Sequence, residues 1–220
     1  MQAITETLFD AVYLITVITL GITMMRKSGR RAQYRLFGIM AVVLGLGDSF
    51  HLVPRALALC TTGLENYTAA LGIGKLITSI TMTVFYILLY YVWRSRYHIS
   101  GKKGITAAVY LLSALRIILC LFPQNGWLRA NPPLSWGIYR NIPFALLGLL
   151  IILLFFQEAK RQHDTAFRYM WLTFVLSFGF YIPVVLWADI IPMIGMLMIP
   201  KTCAYVWTVL IGYRAMRSES

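Results

Sequence analysis

Long apolar runs, broken at short intervals by clusters of basic and turn-forming residues, set the pattern of this chain. Seven runs approach the roughly 20 residues needed to cross about 30 Å of hydrocarbon. They lie at 7–25, 36–58, 69–93, 105–122, 137–157, 168–188 and 192–213. The connections between them are short and leave no room for a soluble domain. The pattern predicts an all-α, polytopic membrane bundle of seven transmembrane helices, a single domain over 1–220, with each backbone hydrogen bond closed inside its own helix. Pro54, Pro143, Pro183 and Pro200 fall within the second, fifth, sixth and seventh runs. Each is expected to interrupt its helix and free a carbonyl four residues earlier. The connection from Pro123 to Trp136 is rich in turn formers and Trp, which suits either a lid or an interfacial aromatic belt. Tyr86, Tyr90, Tyr91 and Trp93 are expected to form a belt at the opposite surface.

Composition agrees with the pattern and charge refines it. Hydrophobic residues make up 59% of the chain and charged residues 13%, against roughly 45–50% and 25% in soluble proteins. A net charge of +12 would suit nucleic acid, but its distribution excludes that partner. Fourteen of the 20 basic residues lie in 26–35, 94–103, 158–168 and the tail, on alternate connections, which the positive-inside rule makes cytoplasmic. The N-terminus is therefore expected outside and the C-terminus inside, in the cell membrane. Residues 1–10 hold no Lys or Arg and carry Glu6 and Asp10, the opposite of a signal peptide's basic start. The first run is expected to be a retained helix. Of the three cysteines, Cys60 and Cys120 fall near outer helix ends, where a bridge or two thiols are both open; Cys203 reads as packing.

Topology does not account for Arg55, Lys75, Arg116, Arg129, Arg140 and Lys201. A charge at the centre of a transmembrane helix costs about 2.5–3.5 kcal/mol on insertion scales, so those within the runs need partners, water or a ligand. Gly47-Asp48-Ser49-Phe50-His51-Leu52-Val53-Pro54-Arg55 places three ionisable groups in the second run, on one stripe at about 100° per residue. At 1.5 Å rise per residue, Asp48, His51, Arg55, Lys75, Arg116, Arg140, Lys201 and Asp189 all fall in the outer half or near the midplane. Lys75, Thr78 and Ser79 share one face, Ser113 and Arg116 another, and Lys201, Tyr205 and Thr208 a third. These stripes are expected to meet in one outward-facing, net-positive cavity. Asp48 and His51 are the candidates for proton transfer; Arg55, Lys75, Arg116, Arg140, Lys201 and Tyr205 are the candidate ligand-binding residues. A charge pair of Asp48 with Arg55 or Arg116 that only fixes helix register is the structural alternative. The partner expected is a membrane lipid or a small anionic ligand. Three scattered histidines give no metal spacing, Gly72-Ile73-Gly74-Lys75 lacks the rest of a nucleotide-binding loop, and no cofactor is expected.

Gly47-Asp48-x-x-x-Leu52-x-Pro54-Arg55, preceded by Gly45 and followed by Gly72-Ile73-Gly74-Lys75 at the start of the next helix, resembles a signature of the lysoplasmalogenase family. Its members are small multi-pass membrane proteins, some of which hydrolyse the vinyl-ether bond of lysoplasmalogens. The resemblance implies a lipid hydrolase with Asp48 as its acidic residue. A transporter or binder of an anionic ligand, with broken helices around a midplane site, is the competing function. A chromophore protein with Lys201 as a Schiff-base lysine and Asp48 as its counter-ion is a third.

Overall fold

The computed structural model of the protein describes residues 2–188 and 190–219. Among these, seven α-helices form: α1 (Gln2–Lys27), α2 (Ala32–Cys60), α3 (Thr68–Arg96), α4 (Lys103–Leu121), α5 (Leu134–Arg161), α6 (Met170–Trp187) and α7 (Met198–Ser218). All seven helical regions are long and apolar enough to cross a membrane. Short 3-10 turns occupy Leu64–Tyr67, Pro123–Asn125 and Pro192–Leu197. Most helices run several residues beyond their apolar runs, because polar and basic end residues continue the helix where water satisfies the last carbonyls. One expected boundary is corrected. The run beginning at 192 opens as a 3-10 turn, and Pro200 is the third residue of α7. Its missing N–H there has no intrahelical acceptor in any case, so Pro200 interrupts nothing. Pro54, Pro143 and Pro183 do lie inside helices.

The helices pack in chain order, each on the next, and α7 closes the ring against α1. Small residues set the tightest crossings, because lipid supplies no hydrophobic drive and close backbone approach takes its place. A Cβ on Gly38 would stand 2.7 Å from the Gly21 carbonyl oxygen, and one on Gly21 2.9 Å from that of Gly38. Between α2 and α3, a Cβ on Gly74 would strike the Phe50 carbonyl and lie 2.8 Å from the His51 Cα. Gly74 therefore seats the Asp48–Arg55 stretch of α2 against α3.

Helix α3 also packs on α5, and its aromatic residues overturn the expectation of a belt. Tyr86, Tyr90 and Trp93 are buried. The Trp93 indole donates to the Leu154 carbonyl at 3.0 Å, and Tyr86 meets Phe144 edge to face at 5.1 Å between centroids. These rings form the bundle core, and Tyr91 alone of the four is only partly covered. The three cysteines are free thiols, Cys120 buried and Cys60 and Cys203 exposed.

The basic end is held by Arg96, in the last turn of α3. Its Nε and Nη2 donate to the two Asp164 carboxylate oxygens at 2.9 Å each. Its Nη1 donates to Glu219 at 2.7 and 2.8 Å and to the Tyr34 hydroxyl at 3.2 Å, and Arg31 adds bonds to the carbonyls of Met216 and Glu219. One guanidinium thus ties together α2, α3, the α5–α6 connection and the end of α7. Burial acts to raise the Asp164 carboxyl, but the Arg96 hydrogen bonds and charge, with the Phe167 amide, outweigh it and hold the group below its ordinary 3.8. Stability from a depressed carboxyl is complete above its unfolded pKa and is lost as pH falls through the folded value.

Three substitutions have distinct expected effects on thermal melting in detergent. Arg96→Gln, by stranding a largely buried carboxylate, lowers stability by about 3 kcal/mol at pH 7 and flattens the loss of stability between pH 5 and pH 3; an unchanged acid limb would contradict the role given to this pair. Gly74→Ala costs about 1–3 kcal/mol through overpacking. Gly179→Ala, whose Cβ would meet nothing within 4 Å, is neutral or stabilising by up to about 1 kcal/mol.

Candidate functional site

Asp48 lies midway along α2, half-buried at the junction with α1 and α7. Its Oδ2 accepts a hydrogen bond of 2.6 Å from the Tyr13 hydroxyl on α1. Lys201, in the first turn of α7, is the cation within electrostatic reach of Asp48. The Lys201 Nζ stands 5.0 Å from the centre of the Tyr181 ring and 5.5 Å from that of Tyr205, two aromatic faces that attract an ammonium. Among the described residues no ion pair closes on Asp48. The register-fixing alternative is thereby corrected: Arg55 is bound instead to Glu6 of α1, because the two helices run side by side and bring the carboxylate opposite.

Arg116 is the least compensated group of the bundle interior. It projects from α4 with 2% of its surface exposed, and its guanidinium carbon lies 3.3 Å from the centre of the Phe144 ring. Its Nε and Nη1 meet no acceptor, nor does the Ser113 hydroxyl one turn earlier. Its electrostatic neighbours are Tyr181, Cys120, Tyr205, Tyr86 and the Lys201 ammonium. Unsatisfied buried donors cost about 1–3 kcal/mol each, more when charged. The stack on Phe144 returns only part of that.

The remaining sequence candidates divide. Tyr205 is buried within the cluster, edge to face with Phe85 at 5.6 Å. His51 is half-buried on α2; its Nδ1 is enclosed without a partner, and Lys75, Arg55 and Lys201 surround it electrostatically. Lys75 is exposed on α3 and Arg55 lies at the Glu6 pair, so neither joins the core of the cluster. Arg140 serves the loop: its Nη1 donates to the Asn125 side-chain oxygen at 2.9 Å and it lies 4.3 Å over the Trp127 ring. Asp189, counted among the cavity anions from sequence, lies outside the described residues.

The sequence did not single out Tyr13, Phe144 or Tyr181, since aromatic residues in apolar runs carry no local mark of what they face. It also missed Asn125, which is fully buried and donates to the Leu119 and Phe122 carbonyls at 2.7 and 2.8 Å. With the Trp127 indole on the Cys120 carbonyl, it satisfies the end of α4. Pro123–Trp136 is thus anchored over α4 and the start of α3, where the Trp127 carbonyl abuts Gly72, and does not form a loose lid.

An apolar groove of about 190 Å³ runs between α5 and α6, lined in part by Asn141, Phe144, Phe178, Tyr181 and Ile182. Two of its walls, Phe144 and Tyr181, are the rings that carry Arg116 and Lys201. The Tyr181 hydroxyl donates to Asn141 at 3.1 Å within it. The arrangement sets two cations against rings that wall an apolar groove, with Asp48 within electrostatic reach of one of them, Lys201. Among the described residues no group of three His, Cys, Asp or Glu side chains could hold a metal.

Compared with family models, with curated proteins and with solved structures, the chain finds no match.

If the open donors of Arg116 serve a ligand, they burden the empty fold. Arg116→Met, of similar length and without donors, is expected to raise stability by about 1–3 kcal/mol in detergent melts. A loss of similar size would mean that the guanidinium holds the bundle together.

Proposed function

We propose that this multi-pass membrane protein binds an anionic amphiphile of the lysophospholipid kind inside the bundle. The acidic head lies against Arg116 and Lys201, and the chain lies in the α5–α6 groove. The observation that carries this reading is the buried Arg116 with Nε and Nη1 lacking an acceptor. A guanidinium in a low-dielectric interior is stable when a phosphate or carboxylate accepts from its fork, and the groups that surround Arg116 electrostatically, Tyr181, Cys120, Tyr205 and Tyr86, include no carboxylate. The groove is smaller than the roughly 300–1,000 Å³ of sites for bulky ligands, so it favours a chain over a ring system. Delivery is from the membrane, since the groove lies between two helices whose outer faces are apolar and exposed at Ile142 and Ile182.

Hydrolysis of the bound amphiphile is the second reading, and the 2.6 Å bond from Tyr13 to Asp48 favours it. Tyr13 fixes one carboxylate oxygen and leaves the other to exchange a proton with the ligand, the role expected of a general acid–base. His51, on the same stripe, assists that exchange. This matches the part that the lysoplasmalogenase resemblance gives to Asp48. The N-terminus lies outside and the site opens toward that side, in keeping with the basic connections at the opposite end.

Binding of lysophosphatidic acid to the purified protein distinguishes these readings. Arg116→Gln weakens binding tenfold or more, the equivalent of about 1.5–3 kcal/mol for a hydrogen bond to a charged group, while Arg129→Gln on the exposed loop leaves it unchanged. Equal weakening by both variants, or by neither, would refute the site. Asp48→Asn retains binding and abolishes turnover of a lysoplasmalogen if hydrolysis is the function; turnover that survives in this variant removes the catalytic reading and leaves the binding one.

A further inference from the structure

We propose that the cleft between α3 and α4 at the basic end binds the headgroup of an anionic membrane phospholipid, at a site separate from the Arg116 cluster. The cleft is a recess, largely open to the surface, that offers about 520 Å³ and is lined by Arg94, Gly101, Lys103, Thr106, Ala107 and Tyr110. That volume lies within the range of sites that hold whole small molecules.

The two arginines at the end of α3 make the contrast that points to a ligand. Arg96 is neutralised by Asp164 and Glu219. Arg94, two residues earlier, meets only neutral groups: its Nε reaches the Ile99 carbonyl at 3.3 Å and its Nη1 the Thr106 hydroxyl at 3.4 Å, both long, and its guanidinium lies 5.9 Å over the Tyr90 ring. Among the described residues no ion pair involves Arg94, Lys102 or Lys103, and no carboxylate lines the cleft. Two lining cations, with Lys102 adjacent, therefore face one recess without a counter-charge.

The position of the recess identifies the occupant as a lipid. Arg94 is in the last turn of α3 and Lys103 begins α4, the depth at which headgroups lie. Below it, Ala107 and Tyr110 form an apolar wall, with the Tyr110 ring set by a 2.6 Å bond to the Tyr91 hydroxyl. The wall continues along α4 as Leu111, Leu115 and Ile118, all exposed. A phosphate between Arg94 and Lys103 would place an acyl chain down that face. A zwitterionic headgroup would bring an ammonium into a cleft that offers it no carboxylate, so the chemistry favours a net-negative head such as phosphoglycerol.

Native mass spectrometry of the full chain, with phosphatidylglycerol and phosphatidylcholine of identical acyl chains, tests the site. The wild-type protein is expected to retain phosphatidylglycerol preferentially, with each lining cation contributing about fivefold. Arg94→Gln reduces that preference about fivefold, and Arg94→Lys restores most of it. Lys160→Gln, which removes the same charge from an exposed residue at the same end, leaves it unchanged. Equal retention of the two lipids by the wild type, or the same reduction from Lys160→Gln, would overturn the proposal. Melting curves of each variant verify that the bundle is intact, and Arg116→Gln should leave this preference untouched whatever becomes of the central site.

Discussion

Hydrocarbon gives a polar group nothing to bond to, and the organisation of this bundle follows from that constraint. Backbone groups are satisfied by helix formation, and the places where helices end show what else is required. Asn125 and Trp127 turn back to bond the last carbonyls of α4, and the Trp93 indole finds a carbonyl on α5. The Thr208 hydroxyl bonds to Thr173 on α6 at 2.8 Å and to its own helix at Ala204. Arg96 settles its charge at the basic end on two carboxylates. Against that background Arg116 is an exception, a buried charge with two nitrogens unused.

An exception of this kind is expensive, and its surroundings give it sense. Arg116 and Lys201 rest on Phe144 and Tyr181, and the same rings wall an apolar groove. Tyr13 holds Asp48, which lies within electrostatic reach of Lys201. Contributions come from α1, α2, α4, α5, α6 and α7, while α3, fixed by Gly74 and its buried aromatics, supports the cluster from within. Arg116 is the charged member of a small set of buried groups without partners, which also holds the His51 Nδ1 and the Ser113, Tyr86 and Tyr97 hydroxyls.

Hydropathy made the fold legible in advance because crossing a membrane demands long apolar runs, whatever their packing. The same averaging hid detail. Pro200 looked like a helix break, yet the 3-10 turn before α7 puts it in the first turn, where proline is harmless. Tyr86, Tyr90 and Trp93 resembled an interfacial belt by composition, and only their burial against α4 and α5 shows them to be core. For the site, Asp48, Arg116, Lys201 and Tyr205 were readable because ionisable and polar groups in apolar runs are costly. Arg55, Lys75 and Arg140 carried the same mark and turned out to lie at Glu6, on the surface and in the loop, since cost says that a partner is needed and not which one. Tyr13 and Tyr181 gave no signal at all, because a tyrosine in a membrane helix is ordinary until its hydroxyl is seen to reach a neighbour.

The proposed role of the open Arg116 donors is to hold a ligand. An experimental density map of the protein purified from its own membrane tests this most directly. Non-protein density is expected within hydrogen-bond distance of Arg116 Nε and Nη1, extending along the groove between Phe144 and Tyr181. A map in which the guanidinium instead bonds a protein carboxylate or carbonyl, with the groove closed by its own side chains, would contradict it.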